Sequence, residues 1–116
     1  MQQWKLFDIE TPDGARSPVV LHSQDGEARV VLIALEPGQQ LGDHEVKEAA
    51  LLLVVSGEAR IEAGGDAEAA VAGDLFRFDP SERRVVSSAG GARMLLVLAP
   101  WPGIGHYRGD EPRGRS

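Results

Sequence analysis

Short apolar runs separated by turns rich in Gly and Pro follow one another along the chain, and helical periodicity is hard to find. Residues 29–35 are apolar on both faces and stop at Glu36-Pro37-Gly38, which is typical of a buried strand followed by a turn. Similar runs predict strands at 68–71, 75–78, 84–88 and 92–99. The spacing predicts an all-β domain of about six to nine short antiparallel strands, as a sandwich or barrel.

The segment 51–63 is predicted to form a hairpin. Residues 51–55 are a continuous apolar run, and Ser56-Gly57-Glu58 has the composition of a turn. Beyond it, apolar residues 59, 61 and 63 alternate with charged ones, so this strand has one face in water.

The composition indicates how many domains the chain forms and excludes several kinds of functional site. The chain has 116 residues and 42% hydrophobic residues, which suits one core over 1–107, while 108–116 is predicted to be a disordered tail. It has no cysteine, which excludes a disulfide framework, thiolate metal sites and a cysteine nucleophile. No nucleophile elbow, phosphate loop or serine triad pattern is present.

Charge and hydropathy bear on partners and location. Eighteen acidic residues against 12 basic ones give a net charge of −6, opposite to that of proteins that follow phosphate backbones, so no nucleic-acid partner is expected. The N-terminus lacks a basic region followed by a long apolar run, and the longest apolar stretch is 49–55. We therefore expect a cytoplasmic protein with no membrane segment.

Two segments carry motif spacings. Gly38, His44 and Gly57 fit G-x5-H-x-H-x3-E-x6-G, and Gly73 starts a partial match to G-x5-P-x-G-x2-H-x3-N. In both segments, these spacings resemble the paired sequence motifs of the cupin superfamily. The resemblance covers about residues 28–99 and implies a single antiparallel β-barrel, the jelly-roll-like double-stranded β-helix.

In cupins the two His and the Glu of the first motif and the His of the second hold a divalent metal. Here only His44 matches, and the other three positions fall on Val46, Ala50 and Arg84. Val and Ala have no lone pair to donate, and a guanidinium repels a cation. No metal cofactor is therefore favoured.

The same positions predict a pocket of different charge. Through the resemblance, His44 and Arg84 would face the barrel interior together with apolar and small residues, so the site should bind a small anionic metabolite. The remaining predicted lining residues are Val46, Ala50, Leu52, Val54, Val86 and Ser88. This depends on register, because Arg83 and Arg84 are adjacent and either could face solvent.

Three functions stay open. The first is a non-catalytic or sensing barrel that binds an acidic metabolite. The second is a metal-dependent dioxygenase or isomerase that uses His44 with displaced ligands such as Glu48 or His106. The third is a structural or interaction module with a filled interior, in which His44 bonds a backbone carbonyl or water.

A homodimer is also expected. Bare edge strands invite pairing, and many short cupins form dimers through their edges. Large aromatic residues outside the central strands, Trp4, Phe7 and Trp101, are predicted to anchor the interface.

Overall fold

The computed structural model describes residues 1–11, 19–44 and 48–100, with the side chains of 42–44 outside the described part. After a short 3-10 helix at Leu6–Asp8, eight strands follow in chain order: β1 Val19–Gln24, β2 Ala28–Leu35, β3 Gln40–His44, β4 Ala49–Ala63, β5 Asp66–Val71, β6 Leu75–Phe78, β7 Arg84–Ser87 and β8 Ala92–Ala99. The all-β class is confirmed. Val46, Trp101, His106 and the predicted tail 108–116 lie outside the described residues.

The strands form a curled antiparallel sheet in the order β1-β2-β8-β4-β7-β3, and β5 and β6 both pair with β4. Every pairing is antiparallel, as expected for hairpin-length connections. Within the described residues, no helix is long and apolar enough to cross a membrane.

The predicted hairpin at 51–63 is wrong. These residues belong to one strand, β4, of 15 residues, and a register shift between Val54 and Ser56 stands where a turn was expected. Up to Gly57 the strand pairs with β6 and β8, and from Glu58 onward it pairs with β5 and β7. A bulge bends a strand and sharpens its twist, which lets β4 serve two parts of the sheet.

The core lies on the concave side of the sheet, where alternate side chains meet. On β8 the buried residues are Ala92, Met94, Leu96 and Leu98, and the residues between them are only partly buried. β2 contributes Val31, Ile33 and Leu35, and β4 contributes Ala50, Leu52 and Val54. Period-two burial of this kind is what a half-barrel closed over one apolar core requires.

Candidate functional site

The register of β7 determines which arginine enters the core. Arg84, Val86 and Ser88 are buried, whereas Val85 and Ser87 are partly exposed and Arg83 is exposed. Val86 pairs with Ile61 of β4, and both side chains belong to the core cluster. Since successive side chains of a strand point to opposite faces, Arg84 faces the interior, the orientation on which the predicted anion site depends.

Arg84 is a cation almost completely withdrawn from water, with 3% of its surface exposed. Its guanidinium carbon lies 4.8 Å from the centroid of the Phe78 ring, a cation-π contact that covers one face of the group. Its Nη2 is buried and has no hydrogen-bond partner among the residues that the structure describes. Buried charged groups are normally hydrogen-bonded, so an additional acceptor beside this nitrogen would stabilise it.

Electrostatics point the same way. Burial lowers the pKa of Arg84 from its usual value, because the surroundings disfavour the charged form, and the nearby Glu82 carboxylate partly opposes the effect. Glu82 lies in the turn before β7, where its side chain accepts a hydrogen bond from the Asp79 backbone N–H at 2.9 Å. An anion beside the guanidinium would relieve the cost of burying its charge.

The backbone brings His44 to Arg84. The two residues are directly paired across β3 and β7, and on its other side Arg84 pairs with Ala63 of β4. The two residues are 40 positions apart in the sequence. The pairing sets the first and the last of the four motif ligand positions side by side.

Two predicted lining residues are packed in the core. Ala50 and Leu52 lie on the inward face of β4 and are almost fully buried. Ala50 is paired with Phe78, the residue on which Arg84 stacks, so it lies near the guanidinium. Leu52 is one inward position further along β4, opposite Phe76.

Ser88 is used elsewhere. It follows β7, four residues and roughly 13 Å of extended strand away from Arg84. Its hydroxyl donates to the backbone carbonyl of Glu58 at 2.5 Å and accepts from the Gly91 backbone N–H at 2.8 Å. These bonds tie the β7–β8 turn to β4, so the Ser88 hydroxyl serves this turn and not the surroundings of Arg84.

An open cleft of about 390 Å³ borders Arg84 at the turn between β4 and β5. Arg60, Arg83 and Arg84 line it together with Glu62 and Asp66. Arg60 Nε lies 3.4 Å from a Glu62 carboxylate oxygen, so part of this charge is already paired at the surface. Three arginines around one cleft contrast with the chain's net charge of −6.

The residues present do not fit the metal that the fold implies. Of the two ligand positions whose side chains are described, Ala50 offers no donor atom and Arg84 places a protonated guanidinium inside the site. Within the described residues, no group of three or more His, Asp or Glu side chains is placed to hold a metal ion.

Two buried residues, Phe78 and Glu48, were not predicted from the sequence to line the anion site. Phe78 was not among the predicted site residues, although the alternation of Phe76 and Phe78 before Asp79-Pro80 was the available signal. Glu48, considered only as a displaced metal ligand, is buried just before β4 begins.

Comparisons with known proteins bear on the fold. No protein-family model matches the chain, and no curated protein matches its sequence. A cupin of the RmlC-like type from Desulfovibrio desulfuricans superposes with a TM-score of 0.76 at 19% identity, covering 86% of this chain and 97% of that one. An uncharacterised protein with a double-stranded β-helix domain from Klebsiella pneumoniae gives 0.76 at 21% identity, covering 86% and 90%.

A cupin superfamily protein from Desulfitobacterium hafniense superposes with a TM-score of 0.72 at 19% identity, covering 80% of this chain and 84% of that one. Identities this low carry the fold and not the activity. With its antiparallel strands, its core and these neighbours, the chain has the double-stranded β-helix fold of the small cupins.

Proposed function

We propose that this protein binds a small anionic metabolite through Arg84 and acts as a binding or sensing module rather than as a catalyst. The observation that carries the proposal is the buried guanidinium whose Nη2 has no hydrogen-bond partner among the described residues. A protein stabilises such a group poorly by itself, and a carboxylate supplies both the charge and the acceptor that it needs.

The surroundings of Arg84 favour a ligand that presents one small anionic group. Phe78 covers one face of the guanidinium, so the ligand approaches an edge, where planar N–H donors suit a carboxylate. The cleft of about 390 Å³ beside Arg84 is lined by the exposed residues Arg60, Glu62 and Arg83 of the outer face, so it is not the space that the inward-facing guanidinium meets.

His44 is the second proposed contact. Its backbone is paired with that of Arg84, which puts it within reach of the same ligand. A histidine beside a bound carboxylate can donate a hydrogen bond. His44→Ala is accordingly expected to weaken binding less than a change at Arg84, because Arg84 supplies the buried charge.

The test is a binding titration with acetate, pyruvate and benzoate as probes, followed by calorimetry and by the chemical shift of the Arg84 Nε–H. Chloride at matched ionic strength controls for non-specific screening. We expect at least one carboxylate to bind and to shift the Arg84 signal. Arg84→Met should weaken that binding by about 10-fold or more, the usual cost of losing a charge-assisted hydrogen bond.

Arg83→Met is the matched control. Arg83 is the sequence neighbour with the same charge, but it is exposed, so its loss should change affinity by less than about threefold. Equal losses in both variants, or a loss confined to Arg83→Met, would contradict a site at Arg84. Stoichiometric transition metal in protein purified without chelator would also count against the proposal, since the metal enzyme would then be favoured.

A further inference from the structure

Two charged side chains are buried in the described part of the chain, and their signs are opposite. Arg84 is 3% exposed and Glu48 is 6% exposed. Asp, Glu, Lys and Arg are rarely buried this deeply, because water solvates their charges better than a protein interior does. The interior of this half-barrel therefore contains one positive and one negative group.

Glu48 faces the same interior as Arg84. It directly precedes β4 and stands two residues before Ala50, which belongs to the core cluster. Alternate residues of a strand share a face, so Glu48 continues the inward row that Ala50 and Leu52 form on β4. Leu51 points to the opposite face and is exposed, in keeping with this alternation.

Phe78 relates the two charged residues in space. Its ring centroid lies 4.8 Å from the guanidinium carbon of Arg84, and its backbone pairs with that of Ala50 across β6 and β4. Glu48 is one inward position before Ala50, a step of about 7 Å along the strand. Both charged residues therefore border the part of the interior that surrounds Phe78.

The Arg84 Nη2 does not use Glu48 as its acceptor. This nitrogen is buried and has no hydrogen-bond partner among the residues that the structure describes. Burial lowers the pKa of Arg84, and the carboxylate that partly opposes this effect is that of Glu82, in the turn before β7. Arg84 and Glu48 thus offer two separate points of attachment with opposite charge.

We propose that the ligand is an amino acid, whose carboxylate binds Arg84 and whose ammonium group binds beside Glu48. The assignment rests on the proposed function, since it specifies the second polar group of the same ligand. A ligand with a carboxylate alone brings a further negative charge into an interior that already contains Glu48. An ammonium group on the ligand adds an attraction to this carboxylate, and such charge interactions are stronger in the interior than in water.

The rest of the ligand meets apolar side chains. Phe78, Ala50 and Leu52 face the interior along the strands that position the two charged residues, and none of them has a polar side-chain atom. A hydrocarbon spacer between the two charged groups is therefore favoured over a sugar, whose hydroxyl groups would lose their hydrogen bonds to water. Amino acids with methylene groups between carboxylate and ammonium have this composition.

The test measures affinities by calorimetry for pairs of ligands that differ only by an ammonium group at the end of the chain. The pairs are acetate and glycine, propionate and β-alanine, butyrate and 4-aminobutyrate, and pentanoate and 5-aminopentanoate. The amino acids differ from one another in the distance between their two charged groups. We expect at least one amino acid to bind about 10-fold or more tightly than its unsubstituted acid, the usual gain from a charge-assisted hydrogen bond.

Glu48→Gln removes the charge of this residue and keeps its size. It should abolish the preference, so that the amino acid and its unsubstituted acid bind within about threefold of each other. Glu62→Gln is the matched control, because Glu62 lies on β4 but is exposed on the outer face. This variant should keep the preference of the wild-type protein. Arg84→Met should weaken the binding of both members of a pair by about 10-fold or more.

The outcomes distinguish the amino-acid ligand from the anion site itself. Carboxylates that bind through Arg84 but gain nothing from an ammonium group at any spacing would overturn the amino-acid ligand and leave the anion site standing. A preference that survives in Glu48→Gln would overturn the role of Glu48. Absence of binding by every carboxylate and every amino acid would overturn both proposals. The paired ligands are compared on the wild-type protein, so the first result is obtained even if Glu48→Gln fails to fold.

Discussion

A single arginine, Arg84, carries the clearest conflict between stability and function in the molecule. Replacing it with Met keeps much of the side-chain volume and removes a buried charge whose Nη2 has no partner in the described part of the chain. We expect Arg84→Met to raise the free energy of unfolding of the ligand-free protein by about 1–3 kcal/mol. Urea denaturation at constant m-value measures this directly.

Arg77→Met is the control for this gain. Arg77 is exposed and paired with Asp79. Removal of such a surface ion pair changes the free energy of unfolding of a protein by less than about 1 kcal/mol. A loss of stability in Arg84→Met larger than that in Arg77→Met would mean that the guanidinium has a structural role, through Phe78 or otherwise, and that its burial needs no ligand.

The pH dependence of the Arg84 effect has a definite sign. Burial lowers the pKa of Arg84 in the folded state below its unfolded value, so the folded state disfavours the protonated form. The cost is fully present below the folded-state pKa and is relieved as the pH rises from that pKa to the unfolded-state pKa. Because arginine stays protonated near neutral pH, the gain from Arg84→Met should be the same at about pH 6 and pH 8.

Motif spacing alone could predict that Arg84 replaces a ligand, but not which way it faces. Arg83-Arg84 is followed by Val85-Val86, so shifting the register by one residue leaves the same residue types at each face. Packing decides between the two registers, because Val86 of β7 pairs with Ile61 of β4 and both side chains lie in the core. Phe78 was missed for a related reason, as its contact with Arg84 joins different strands.

At the scale of the element, the turn between β6 and β7 keeps a conformation suited to glycine. Ser81 has φ of +65°, and the Glu82 backbone N–H donates to the Asp79 carbonyl at 3.0 Å, as in a turn with Pro80 at its second position. Ser81 stands where the second motif has Gly. A non-glycine residue in the left-handed region costs about 1–2 kcal/mol.

Ser81→Gly is therefore expected to stabilise the protein by about 0.5–1 kcal/mol, once the greater chain entropy of unfolded glycine is subtracted. Thermal and urea unfolding measure the change. Ser81→Ala keeps the strain and should bring no gain. Equal stability of all three proteins would show that the turn releases the strain in another way.

The incorrect prediction at the scale of the element is the hairpin at 51–63, which is a single strand, β4. Ser56-Gly57-Glu58 has the composition of a turn, and local sequence cannot distinguish a chain reversal from a bulge that passes a strand onward. The distinction depends on partners far along the chain, such as Ala92 opposite Gly57 and Val71 opposite Glu58. The alternating 59–63 segment was predicted correctly because its pattern is local.

For the whole molecule, the sequence predicted class and strand positions well, but not the order of strands. Alternation and turn residues are local signals, whereas the pairing of Leu35 with Ala92 joins distant positions. The two-sided apolar character of residues 29–35 was a local sign that β2 lies inside the sheet, between β1 and β8.

The two parts of the sheet are joined at Gly57, where β4 passes from pairing with β8 to pairing with β5 and β7. Its φ is +79°, and a Cβ added there would lie 2.1 Å from the carbonyl oxygen of Gly91, a backbone atom. Gly57→Ala should destabilise the protein by about 2–4 kcal/mol, from left-handed strain plus overpacking, as measured by urea denaturation.

Gly26→Ala separates the two causes. Gly26 has φ of +78°, almost the same backbone conformation, but a Cβ there meets nothing within 4 Å. Its replacement should cost only about 1 kcal/mol, the strain alone. Similar losses in the two variants would mean that the Gly91 turn moves aside freely. A larger loss at Gly57 would indicate that close approach of β4 to this turn holds both parts of the sheet around one core, because the backbone φ is almost the same at the two sites.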